Sequence, residues 1–119
     1  MTFRDSWEDY KRLCAAVRKR AFSPVYLLMG EEPYFIDRLT DLLAENVLEE
    51  AEKGFNQTVV YGKDADAGAV VNLCRQMPMM GGRMVVIVRE AQQLRKAEQL
   101  SLYTQAPLES TVLVICHKG

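Results

Sequence analysis

Little in this sequence invites metal, membrane or electrostatic chemistry. Its three cysteines, Cys14, Cys74 and Cys116, are far apart and form no CxxC pair or Cys/His cluster, and there is a single histidine, His117. A zinc site has no footing on such spacing. Each cysteine sits in an apolar pattern, which reads as a buried free thiol in a reducing compartment. No apolar run approaches the ~20 residues of a membrane span, and acidic residues interrupt the N-terminus too early for a secretory signal. Both absences point to the cytoplasm. A basic surplus is missing too: 15 Lys and Arg face 16 Asp and Glu, for a net charge of −1. Duplex binders draw much of their affinity from phosphate neutralisation, so nucleic acid is not required here as a direct partner. Repeats, linkers and low-complexity segments are also lacking.

What remains is an ordinary globular composition, 49% hydrophobic and 26% charged over 119 residues. That suffices for one core and not for two, so residues 1–119 read as a single domain. The chain stops directly after an apolar strand pattern, as a piece of a longer protein would.

Hydrophobic spacing sets the elements. Trp7, Tyr10, Leu13, Cys14 and Val17 recur at helical steps, predicting a first helix over Ser6–Arg20 with Ser6 as its cap. Arg18, Lys19 and Arg20 offset the negative end of its dipole, a structural role favoured over a DNA contact. Val25–Met29 is a continuous apolar run ended by Gly30, the signature of a strand buried on both faces. A second helix begins at Pro33, buries Phe35/Ile36, Leu39, Leu42/Leu43 and Val47, and ends in a solvated stretch at Glu49, Glu50 and Glu52. Thr58–Tyr61 predicts a second strand closed by Gly62. Asp64 or Asp66 caps a third helix with Val70, Leu73, Cys74 and Met77 on one side. Met84–Val88 is a third strand, Arg95–Gln105 a fourth helix stopped by Pro107, and Thr111–Cys116 the last strand. Alternating helices and strands predict an α/β fold: three layers, with a mostly parallel sheet flanked by helices.

The first strand-to-helix turn, Gly30-Glu31-Glu32-Pro33-Tyr34-Phe35, stands where α/β proteins bind phosphate. A P-loop needs a second glycine, a lysine and a hydroxyl, and this turn has none of them. Its two carboxylates repel phosphate, and Pro33 removes an N–H. A receiver domain is also excluded, because the third strand ends Val88-Arg89-Glu90 without an aspartate. Glu31 and Glu32 are adjacent and point apart, His117 has no supporting motif, and Ser23, Ser101 and Ser110 have none either. No independent active site, cofactor or metal site is expected.

The most informative segment is Cys74-Arg75-Gln76-Met77-Pro78-Met79-Met80-Gly81-Gly82-Arg83. It ends a helix with proline, presents adjacent methionines and turns into a strand. Methionine is flexible and polarizable, and is over-used on surfaces that dock into apolar pockets. Met77, an i+3 step from Cys74, fits either the core face or a docking anchor. Met79 and Met80 follow the proline, where helical periodicity no longer explains them, and one of the two is expected to tuck inward. Gly81-Gly82 allows a sharp bend. The segment reads as an apolar anchor for a protein partner.

These residues resemble a known family. Val25-Tyr26-Leu27-Leu28-Met29-Gly30-Glu31-Glu32-Pro33-Tyr34-Phe35-Ile36 is similar to the opening strand and turn of the delta subunit of bacterial DNA polymerase III, a clamp-loader subunit. Met77–Arg83, running into an apolar strand, is similar to that family's helix-to-strand element. The resemblance covers the chain from about Lys11 to Cys116. It implies an AAA+/P-loop-like core without a functional P-loop, forming the N-terminal domain of a longer protein. It implies a DNA replication role without ATP hydrolysis, as a non-catalytic subunit of the polymerase holoenzyme. The implied partner is the sliding clamp (the beta subunit), gripped through Met77, Met79 and Met80 with Arg83 beside them, so that the ring opens for loading. Other clamp-loader subunits bind through domains absent here, and DNA is met only indirectly or in the full assembly. The family often carries leucine or phenylalanine where this chain has Met79 and Met80. The alternative function is a small-ligand or nucleotide-binding α/β domain using the strand ends near Gly30 and Gly62.

Overall fold

Strands with no polar face need helices on both sides, and the computed structural model supplies them. It describes residues 2–4, 6–79 and 82–118. Among these, five strands form one sheet: β1 (Thr2–Arg4), β2 (Val25–Gly30), β3 (Gln57–Tyr61), β4 (Met84–Arg89) and β5 (Thr111–Lys118). They lie in the order β1-β2-β5-β4-β3, and every pairing is parallel. Five α-helices connect or follow them: α1 (Trp7–Arg18), α2 (Pro33–Val47), α3 (Glu50–Asn56), α4 (Ala67–Cys74) and α5 (Leu100–Gln105).

The last strand is central: Leu113 of β5 stands opposite Val25 of β2 on one side and Val86 of β4 on the other. Side chains of a strand alternate between faces. Val85, Ile87, Val112, Val114 and Cys116 therefore pack with α1 and α2, through Leu13, Val17, Ile36, Leu39 and Leu43. Val86, Val88, Leu113 and Ile115 pack on the other face with Val70 and Cys74 of α4 and Leu100 and Tyr103 of α5. These are the three layers that the alternation predicts.

Several local expectations need correction. β1 and α3 were not anticipated. β1 is only three residues long, too short to leave a period, although its Phe3 is fully buried. α3 is rich in glutamate and lysine and carries no apolar stripe. Glu49, Glu50 and Glu52 are accordingly not the tail of the second helix. α2 ends at Val47, Leu48 is extended, and the Glu49 N–H donates to the Glu52 carboxylate at 3.2 Å to start α3. Trp7 does not join the buried face of α1; it lies exposed at the first turn, stacked on Tyr10 with ring centroids 5.5 Å apart. Ser6 does cap α1, accepting from the Asp9 N–H at 3.4 Å. Arg20 offsets a different helix end from the one expected, donating to the carbonyl of Asn46 in α2 at 2.7 Å. The predicted helix over Arg95–Gln105 is a 3-10 turn at Ala97–Gln99 running into α5, because Lys96 adopts a left-handed backbone with φ 57°. Asp66, not Asp64, caps α4, accepting from the Ala69 N–H at 2.9 Å.

An all-parallel sheet has two chemically different edges. The carboxyl ends of its strands carry Gly30, Tyr61, Arg89 and Lys118. The amino ends carry Val25, Gln57, Met84 and Thr111, and the turn from α4 into β4 lies there.

Candidate functional site

The methionine turn begins where α4 loses its hydrogen bonds. The Arg75 N–H reaches the Val71 carbonyl at 3.0 Å and that of Gln76 reaches Leu73 at 3.3 Å. The Cys74 carbonyl accepts from the buried Thr111 hydroxyl at 2.8 Å, which ties the helix end to β5. Pro78 cannot continue a helix. Met77 thus lies beyond α4 rather than on its buried face. It is 77% exposed, the highest value among the large apolar side chains described, and Met79 is 59% exposed. The core reading of Met77 is set aside by this placement. Met79 does not tuck inward, and Met80 lies outside the described residues.

The backbone beneath these side chains is fixed. Asn56, fully buried at the end of α3, brackets Met79: its Oδ1 accepts from the Met79 N–H at 2.9 Å and its Nδ2 donates to the Met79 carbonyl at 3.1 Å. Two bonds from one planar amide hold both the position and the orientation of that peptide unit. Gly82 has φ +80°, and a Cβ there would run into the Glu52 carboxylate of α3. Arg83 is half-buried, with its guanidinium 5.3 Å from the Phe22 ring centroid. Met84 then enters the sheet, donating to the Ser110 carbonyl at 2.8 Å. The result is a Met79 peptide unit held by Asn56, with the Met77 and Met79 side chains exposed. Sequence reading missed Asn56 entirely. Its only signal was an amide at a strand boundary, 23 residues from its partner.

Directly under the turn, burial pushes the Cys74 thiol up to about 12, against the opposing effect of a hydrogen bond with Tyr103. Burial raises the Cys116 thiol as well. Neither is a thiolate at neutral pH, and all three cysteines are buried and free. This is the inert, structural role that their apolar context suggested.

The opposite edge, where phosphate binds in proteins of this architecture, is filled by the chain itself. At the start of α2 the Glu32 carboxylate accepts from the Tyr34 N–H at 3.0 Å, and Pro33 has no N–H to offer. The nearby cations are turned on carboxylates: Lys118 lies 3.2 Å from Asp37, and Arg89 lies 3.8 Å from Asp37 and 3.9 Å from Asp41. Among the described residues no group of three or more His, Cys, Asp and Glu side chains is placed to hold a metal ion. His117, next to last in β5, is half-buried. A shallow groove of about 400 Å³ between α4 and α5, lined by Val71, Arg75, Leu102 and Tyr103, brings no catalytic group together.

Fold and site together define a class: a three-layer parallel α/β domain whose strand carboxyl ends are occupied by its own side chains, and whose exposed apolar residues stand at the other edge. Within that class the chain belongs to a particular family. The family model for the delta subunit of DNA polymerase III matches residues 26–119. The chain is 27% identical over 110 residues to DNA polymerase III subunit delta of Bacillus subtilis (strain 168), covering 84% of this chain and 32% of that protein. The solved structure of the Bacillus subtilis DNA clamp loader delta protein superposes with a TM-score of 0.84 at 24% sequence identity, over 91% of this chain and 35% of that one. That likeness shows the fold, a parallel α/β sheet flanked by helices. The chain spans about a third of the length of these relatives.

Proposed function

We propose that this chain is the clamp-gripping part of a clamp-loader delta subunit, and that Met77, Met79 and Met80 enter an apolar pocket on the sliding clamp with Arg83 at the pocket rim. One observation carries the reading: Met77 and Met79 are 77% and 59% exposed on a turn whose backbone is pinned by a buried asparagine. Apolar side chains held out of the core on a fixed base are the form a docking anchor takes.

The magnitudes are consistent. Burying a methionine side chain contributes about 1.5–3 kcal/mol. Fixing its rotamers costs up to about 2 kcal/mol. Three such residues therefore give a modest hot spot and not a tight complex on their own. A modest hot spot suits a wedge that must let go. Such a wedge opens the ring only as far as it binds the opened clamp better than the closed one, since a ligand shifts an equilibrium by its differential affinity alone. This assigns the domain a role in cytoplasmic DNA replication, with contacts to other loader subunits made by the remainder of the protein and DNA met in the assembly.

Nucleotide binding at the opposite edge is the weaker reading, because Glu32 and the Asp37–Lys118–Arg89 cluster already use the donors and cations a phosphate needs. The test is the double substitution Met79→Ser/Met80→Ser. Binding to the cognate sliding clamp is expected to fall at least about tenfold, the equivalent of about 1.4 kcal/mol, with an unchanged circular dichroism spectrum. Clamp affinity equal to that of the unsubstituted chain would refute the site.

A further inference from the structure

We infer that the methionine turn is one half of a composite docking surface, and that the other half is a pair of guanidinium groups, Arg20 and Arg83, which take carboxylates on the same protein partner. The inference rests on the docking reading above and supplies the chemistry of the partner's rim.

Arg20 lies just after α1 and Arg83 just before β4, yet both stand over one ring. Their guanidinium carbons lie 5.2 Å and 5.3 Å from the centroid of Phe22, which packs against the core. Arg20 is fixed further by its bond to the Asn46 carbonyl at 2.7 Å and by a left-handed backbone at φ 58°. Ring contacts of this kind hold the planar forks in place, so less entropy is lost when they bind. Arg18 and Lys19 are exposed beside them. None of these four cations makes an ion pair among the described residues, whereas Lys11, Arg12, Lys53, Arg89 and Lys118 all do. Glu52, an acid beside the turn, accepts from the Glu49 N–H and lies against Gly82.

Two like charges held against one ring, with no counter-ion among the described residues, favour an anion from outside. Position selects its source. Met79 is bonded to Asn56, and Gly82, next to Arg83, lies against Glu52 one turn away on the same helix, α3. A protein surface that seats Met79 must also cover Arg83, so the anion belongs to that surface. A guanidinium fork matches a carboxylate bidentately. The chain's net charge of −1 supplies no broad field of the kind that duplex binding uses.

The experiment follows association and dissociation of the full chain on its immobilised sliding clamp, from low to high salt. It compares Arg83→Glu, Arg83→Lys, the double Arg20→Gln/Arg83→Gln and the double Met79→Ser/Met80→Ser, with melting curves to establish folding. Rim charges act mainly on association. Arg83→Glu is expected to slow association about tenfold at low salt. The neutral double should flatten the salt dependence of association, and Arg83→Lys, which keeps the charge, should restore most of the rate. The methionine double should act mainly through faster dissociation. Wild-type association and salt dependence in both the Glu variant and the neutral double, with the methionine double still defective, would overturn the basic half and leave the anchor standing. Intact binding by the methionine double would remove the docking reading itself. Loss of retention on a short DNA duplex, with clamp kinetics unchanged, would assign the arginines to phosphate and overturn the carboxylate partner.

Discussion

Asn56→Ala should unfasten the methionine turn without touching a methionine. The substitution removes both hydrogen bonds to Met79, at 2.9 Å and 3.1 Å, from a side chain with no exposed surface. Each such bond contributes about 0.5–1.5 kcal/mol net, so the pair contributes about 1–3 kcal/mol. Met79 is exposed enough for water to reach its freed peptide groups, which holds the loss near about 2 kcal/mol. For a domain of this size that corresponds to a fall in Tm of about 8 °C. Asn56→Asp keeps the acceptor for the Met79 N–H but sets a carboxylate against the Met79 carbonyl, so it should cost more than alanine does. Urea unfolding gives the stability, and clamp affinity measured under native conditions gives the functional effect. Because the turn is then less ordered before binding, affinity should drop severalfold through lost preorganisation. An alanine variant melting within about 2 °C of the parent, with unaltered clamp affinity, would refute the claim that Asn56 organises the anchor.

Other substitutions probe the frame around the turn. Gly62→Ala places a Cβ into the Glu90 carbonyl oxygen, a backbone atom that cannot step aside. A loss of more than about 3 kcal/mol is expected by chemical denaturation. Gly82→Ala meets both a φ of +80° and the Glu52 carboxylate, so it should cost about 1–2 kcal/mol and weaken clamp binding in the same variant. The Cys74 thiol, raised by burial to about 12, holds its proton to higher pH when folded than when unfolded. Its contribution is therefore complete below an unfolded value near about 9 and is lost as pH rises from there toward about 12, which denaturation at increasing pH would register. At neutral pH the native protein should leave its thiols unreactive toward a disulfide reagent until denaturant is added.

Much of the fold could be read in advance because its strands carry the pattern of two-sided burial. Val85 to Val88 has no polar position, and both of its faces are indeed covered. Gly30 and Pro33 bracket the turn into α2 where their backbone properties require. What escaped was either short, polar or remote. β1 has three residues, and α3 is held by its ends and by Asn56 rather than by an apolar stripe. Trp7 keeps helical spacing with the core but stands exposed at the first residue of α1, its ring against Tyr10 and Phe35 instead of the sheet. Met77 also keeps that spacing, but α4 has already ended at Cys74, whose carbonyl accepts from Thr111, 37 residues away. The turn's apolar character was legible in its composition. Its rigidity depends on Asn56 and Phe22, contacts made across the sheet's amino edge that no local pattern announces.

The six methionines offer the most direct test of the account. Methyl-labelled methionine spectra recorded while the sliding clamp is added should show the signals of Met77, Met79 and Met80 shifting or broadening, with Met29 and Met84, both inside the sheet, left unchanged. Saturated clamp binding with the three turn signals unmoved would contradict it.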